Sequence, residues 1–135
     1  MNYNELLVNT CTERKNFSDE CSHFMELRPL IKEVILSKHF SRDMKDEEKT
    51  ESLIREVLDC SQIESNELHK FEEKISGNSI FRAKKHGVHI VYCVDTDFRI
   101  VFLRAIKNYE DYKKFLEDKK EIETMVESLK SIAKH

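Results

Sequence analysis

The sequence predicts an α+β protein in which a twisted antiparallel sheet packs on N-terminal helices and is followed by a C-terminal helix. Three observations carry that prediction. Apolar residues recur at three and four through the first half, give way to alternating β-branched and aromatic residues over 79–106, and return to helical spacing after 108. The 135 residues include only two Gly and one Pro, so the elements are long and seldom interrupted. At this length, with 36% charged and 39% hydrophobic residues, one domain over 1–135 is expected.

From the N-terminus, Leu6-Leu7-Val8 reads as a short apolar strand or turn ahead of a polar run at 9–16. Ser18 stands where it caps a helix with Phe17, Cys21, Phe24, Met25 and Leu27 on one face. Arg28-Pro29 interrupts that helix. Proline is tolerated in a first turn, so a second helix is predicted to start there, bury Leu30, Ile31, Val34 and Ile35, and run to about His39. The charged stretch 41–49 reads as a solvated connection. Thr50 reads as the N-cap of a third helix with Leu53, Ile54, Val57 and Leu58 as its apolar stripe, ended by 61–66. Leu68, Phe71 and Ile75 then mark a further short helix.

Ser76-Gly77-Asn78-Ser79 supplies turn conformations, and the period changes there. Ile80-Phe81-Arg82-Ala83-Lys84, Val88–Val94 and Arg99–Ile106 are predicted strands, joined by turns at Lys85-His86-Gly87 and Asp95-Thr96-Asp97. They form an antiparallel meander over 79–108, with the mainly helical 1–78 expected to cover one face. Tyr109, Tyr112, Phe115, Leu116, Ile122, Val126 and Leu129 mark a C-terminal helix over 109–132, broken near Asp118. Glu110 and Asp111 sit where a helix start favours negative charge.

The longest apolar runs, within 88–94 and at 100–102, fall short of the roughly 18 residues of a membrane span. Met1-Asn2-Tyr3-Asn4-Glu5 carries no basic stretch ahead of a long apolar run, so no secretory signal is expected and the cytoplasm is the expected compartment. Cys11, Cys21, Cys60 and Cys93 contain no Cys-x-x-Cys pair and are expected to be small buried apolar groups. Cys21 and His23, with Cys11 and His39, lack the regular spacing of a metal site, and neither metal nor cofactor is expected.

The net charge of -3 conceals a partition. Residues 1–78 hold 11 basic and 17 acidic side chains, net -6. Residues 79–109 hold 6 and 2, net +4, together with His86 and His89, whereas 110–135 hold 6 and 7. Successive strand residues point to opposite faces, so Arg82 and Lys84 share one face with His89, and Arg104 shares parity with Phe102, Ile106 and Asn108. With the other face on the helices, an open cationic face is expected.

The pattern of a basic strand (Ile80-Phe81-Arg82-Ala83-Lys84), Gly87-Val88-His89-Ile90-Val91-Tyr92, an acidic turn (Asp95-Thr96-Asp97), an apolar strand from Ile100 to Arg104, and Lys107-Asn108 ahead of Tyr112 resembles the RelE/ParE superfamily of small toxins from bacterial and archaeal toxin–antitoxin pairs. The resemblance covers residues 68–116 and is best over 80–112. It implies a RelE/ParE-like fold, with a strand before a helical hairpin, for which Leu6-Leu7-Val8 is the candidate, and an enlarged N-terminal helical region. Its RelE branch implies metal-independent cleavage of messenger RNA in the ribosome. Carried over by motif, the catalytic residues are His89, Arg82, Arg104 and Tyr112, and the substrate-binding residues are Lys84, Lys85, Lys107 and Asn108. His89 stands where many members have arginine; its ordinary pKa near 6.5 suits an acid or base. A cognate antitoxin and the ribosome with its message are the implied partners.

Two other readings stay open. The ParE branch binds DNA gyrase and needs no catalytic constellation, and the acidic region 1–78 also suits an interaction or regulatory protein on the same scaffold. Homo-oligomerisation through the N-terminal helices is left open, since no stripe has sustained heptads.

Overall fold

The meander forms where the alternation predicts it, as β3 (Asn78–Lys85), β4 (Val88–Val94) and β5 (Arg99–Ile106). The computed structural model describes residues 3–8, 19–58, 70–85 and 87–133. Ser76 and Gly77, with φ of 51° and 83°, make the two-residue turn that joins β3 to the preceding β2 (Lys70–Ile75). Positive φ at both positions matches the right-handed twist of a hairpin, and a Cβ at Gly77 would stand 3.2 Å from Thr96 Cγ2. Lys70–Ile75 is therefore a strand and not the predicted short helix; Leu68 lies outside the described residues. The widely spaced apolar residues there fit an edge strand as well as a helix.

The sheet has the order β1-β5-β4-β3-β2 and is mixed, because β1 (Glu33–Leu36) pairs in parallel with β5. This corrects both the all-antiparallel expectation and the helix expected from Pro29 to His39. Arg28–Leu30 makes only a short 3-10 turn, leaving Leu30 52% exposed. Val34 and Leu36 then face one side of the sheet and Ile35 the other. The run of Val34, Ile35 and Leu36 fits both periods, and the free edge of β5 decided it. Leu6-Leu7-Val8 belongs to a 3-10 segment, Tyr3–Val8, and is no strand; Asn4 Oδ1 accepts from the Val34 amide at 2.7 Å and covers the outer edge of β1.

The predicted loop 41–49 is mostly helix. A hairpin of α2 (Lys38–Met44) and α3 (Glu47–Leu58) follows β1 directly. Thr50 lies inside α3, its hydroxyl donating to the Asp46 carbonyl, and Asp46 is the cap, accepting from the amides of Glu48 and Lys49. Ser37 caps α2: its Oγ accepts from the Phe40 amide at 3.0 Å and donates to the Leu103 carbonyl at 2.7 Å. The β5 edge beyond β1 is thereby satisfied, and Asp43 Oδ2 accepts from the Ala105 amide. Ser37→Ala is expected to cost about 2 kcal/mol, a lost cap plus an orphaned buried carbonyl, read as a lower urea midpoint at unchanged slope. A loss below about 0.5 kcal/mol would show that the carbonyl finds another partner.

Two cores sandwich the sheet. On one side α1 (Asp19–Leu27), α2 and α3 bury Phe24, Phe40, Ile54 and Val57 against Phe81, Tyr92 and Phe102. Phe24 meets Phe81 and Tyr92 edge-on at 5.3 and 5.8 Å. Arg28, 1% exposed, donates from Nε to the Leu58 carbonyl at the end of α3. On the other side α4 (Tyr109–Glu117) and α5 (Lys119–Ala133), separated at Asp118 as the spacing predicts, bury Val91, Cys93, Val101, Leu103 and Ile106 under Tyr112, Phe115, Ile122 and Val126. The second face is accordingly not an open cationic surface, because its apolar residues needed a cover that the C-terminal helices supply. Cys93 is buried; Cys11 and Cys60, the Cys21 side chain, the Ser18 cap and His86 lie outside what the structure describes. No helix among the described residues is long and apolar enough to cross a membrane.

Candidate functional site

At the end of the second face not covered by α5, β3, β4 and the start of α4 bring four predicted residues together. Lys84 lies opposite His89 across β3 and β4, and Arg82 opposite Val91. Tyr112 reaches down from α4, its ring stacked on His89 at 4.4 Å between centroids and 12° between planes. Tyr109, 57% exposed, stands 5.8 Å from the same imidazole, edge-on. No described residue hydrogen-bonds to His89, so stacking fixes the ring while its nitrogens stay available.

The electrostatics assign different tasks to these groups. His89 has a pKa below the usual 6.5, lowered first by burial and then by Lys84 and Arg82, so its imidazole is neutral at pH 7. The Tyr112 phenol is raised above 10 by burial, an effect the hydrogen-bonding Arg82 guanidinium opposes. Tyr112 therefore keeps its proton at neutral pH, and the arrangement suits it to stacking and hydrogen bonding rather than to proton abstraction. Arg82 is ion-paired with Glu72 on β2 and is held between that carboxylate and Tyr112, while the Lys84 ammonium is exposed. A neutral imidazole between cations can take a proton from a hydroxyl whose neighbouring phosphate those cations hold.

Arg104 joins the second face through a feature that parity does not show. The β4–β5 register shifts between Val91 and Tyr92, setting Arg104 opposite Val91 and Phe102 opposite Tyr92 in the other core. Arg104 and Phe102 thus point to opposite faces, contrary to the alternation argument. The guanidinium lies 5.6 Å from the centre of the Phe115 ring and grips Asp43 with Nε to Oδ2 at 2.7 Å and Nη2 to Oδ1 at 3.1 Å. It ties α2 to the sheet edge, so this guanidinium, expected to be catalytic, is engaged with Asp43 inside the fold.

Three predicted substrate-binding residues also leave the site. Asn108 is the N-cap of α4, its side chain accepting from the Asp111 amide at 3.1 Å. Lys85 and Lys107 point to the first face, one position out of phase with Lys84 and Ile106, and line a pocket beside α2 and α3. Glu72 is not predictable as a site residue from a segment whose apolar spacing predicts helix; it reaches Arg82 only because 70–75 is a strand. Tyr109 is predicted only as one of the residues that mark the C-terminal helix; its spacing of three from Tyr112 is the signal that places it at the site. Comparison of the chain with protein-family models, curated proteins and solved structures found no match.

Proposed function

We propose that this chain is the toxin-like component of a type II toxin–antitoxin system and a metal-independent endoribonuclease that cuts messenger RNA on the ribosome. The observation that carries the reading is the neutral, stacked His89 flanked by Arg82 and Lys84, with the exposed Tyr109 ring beside it. The order of β1, helical hairpin, antiparallel strands and C-terminal helix supports it as well, being the order the RelE/ParE resemblance implies.

In this reading His89 takes the proton of a ribose 2′-hydroxyl. The resulting oxygen attacks the adjacent phosphorus, forming a 2′,3′-cyclic phosphate as the bond to the 5′-oxygen breaks. Lys84 protonates that leaving oxygen, and Arg82 and Lys84 stabilise the charge that builds on the phosphoryl oxygens. Tyr109 offers a face on which an unpaired base stacks, an interaction worth about 1–3 kcal/mol. A cognate antitoxin segment would silence the protein by covering this end of the sheet.

RNA-end mapping with purified ribosomes tests the proposal. New 5′-hydroxyl ends within translated message are expected; a message left intact at saturating protein sinks it. The pairing of Arg82 with Glu72 and of Arg104 with Asp43 favours a second reading, a ParE-like toxin that binds a protein target such as gyrase, since both guanidinium charges are partly satisfied internally. Growth inhibition that survives Arg82→Ala, His89→Ala and Tyr112→Phe, with gyrase supercoiling inhibited, would select that reading.

A further inference from the structure

The pocket that Lys85 and Lys107 enter is separate from the His89 site. It lies on the first face of the sheet, where the α2–α3 hairpin overhangs the ends of β3, β4 and β5, and encloses about 680 Å³. That volume falls within the usual range for small-molecule sites. Its charge is one-sided. Arg42, Lys45, Lys49, Lys85 and Lys107 line it, and no side chain of these five makes a hydrogen bond or ion pair with a described residue.

The single carboxylate in the lining, Asp43, is already held by two bonds from Arg104 and one from the Ala105 amide. Three neighbouring acids are engaged elsewhere. Glu47 and Glu51 face the Tyr3 phenol, Glu51 also pairs with Arg55, and Asp46 accepts from the first amides of α3. Five converging cations repel one another, and among the described residues none of them has an acidic partner. Lys45 has φ of 63° at the hairpin turn, a left-handed conformation uncommon for a residue with a Cβ, and it lines this pocket.

The floor is of opposite character. Leu53, Val88 and Ala105 present apolar surface beneath the cationic rim, with the Ser52 hydroxyl beside them. An anion alone would leave that floor wet, whereas a flat apolar ring bearing a chain of phosphates would cover it and neutralise the rim.

We propose that this pocket binds a small polyphosphorylated ligand of the nucleoside di- or triphosphate class, its base on the Leu53–Val88–Ala105 floor and its phosphates among Lys49, Lys85, Lys107 and Arg42. The site is independent of whether the His89 end cleaves RNA, because the two share no residue.

Titration calorimetry of the whole chain with ATP, GTP and inorganic pyrophosphate tests the assignment, alongside thermal unfolding with the same probes. Saturable one-to-one binding of a nucleotide, tighter than pyrophosphate, is expected to raise the unfolding temperature and to weaken with added salt. The Lys49→Gln/Lys107→Gln double variant is expected to bind the nucleotide at least about tenfold more weakly, while Lys113→Gln, on the exposed face of α4, binds as the wild type. In the wild-type chain ATP is expected to protect Lys49 and Lys107 from acylation read by mass spectrometry, a result that needs no variant to fold. Absence of saturable nucleotide binding at millimolar concentration, unchanged affinity in the double variant, or lack of protection would overturn the proposal. So would binding of a single-stranded oligouridylate that no nucleotide displaces, since that would make the groove a track for polynucleotide.

Discussion

Asp95→Ala is expected to destabilise the protein by about 3–5 kcal/mol, the range for leaving one partner of a buried ion pair alone. Asp95 is 3% and Arg99 6% exposed, and the carboxylate makes four bonds across the β4–β5 turn. Its Oδ1 accepts from the amides of Asp97 and Arg99 at 2.9 and 3.0 Å, and its Oδ2 accepts from Arg99 Nε and Nη2, each at 2.8 Å. Removal leaves the guanidinium only the longer 3.7 Å contact with the exposed Asp97 carboxylate and orphans two amides in one step. Asp95→Asn keeps an acceptor for the amides and should cost less, and Asp95→Ala/Arg99→Met should recover part of the loss by removing the orphaned charge. Chemical denaturation measures all three; a cost for Asp95→Ala under about 1 kcal/mol would mean that the pair contributes little. The acidic turn that takes part in the family-like pattern is thus a structural clamp.

His89→Ala is expected to reduce message cleavage by about 10²–10⁴-fold, the usual contribution of a positioned general base, with little change in unfolding temperature because the ring is only half-buried. The pH profile gives a sharper signature. A base must be deprotonated, and burial with Lys84 and Arg82 holds His89 below 6.5, so cleavage should fall only as pH drops below 6.5. Lys84→Gln removes one of the cations that depress this pKa and should move the acid limb to higher pH, besides lowering the rate. A merely structural histidine would leave the limb in place. The same shift has a consequence for folding: the folded imidazole binds protons more weakly than the unfolded one, so stability should decline as pH falls from 6.5 towards the folded pKa. Cleavage by His89→Ala at the wild-type rate would remove this residue from the mechanism.

The strands of the meander and the break at Asp118 were legible in the sequence because their signals are local: alternation, Ser76-Gly77, and helical spacing that resumes at Tyr109. Arg82, Lys84, His89 and Tyr112 were legible as a group for the same reason, three lying on two hairpin-joined strands and one at the strand-to-helix junction. The misreadings have a different origin. The run of Val34, Ile35 and Leu36 satisfies either period, and only the distant edge of β5 makes it a strand. Strict alternation assigned Arg104 and Phe102 to one face, and a single bulge separated them. The sequence presents Arg104 as a free cation because Asp43 belongs to a charged stretch that predicts a solvated connection, where no sequence rule brings a carboxylate to it.

The parallel pairing of β1 with β5 has a consequence for the order of assembly. Glu33 meets Arg99 across 66 positions of chain, whereas β2 to β5 join neighbours through short turns. Closing the long loop carries a chain-entropy cost that the hairpins avoid, so the four-stranded ribbon is expected to form early and the β1–α2–α3 segment to dock onto its waiting edge. Amide exchange should accordingly be faster at Ile35 than at Val91, and equal protection would point to a single cooperative unit. A strand that docks late leaves the β5 edge, and with it the backbone of Leu103 and Ala105, accessible to a pairing segment from another chain while the protein is being made.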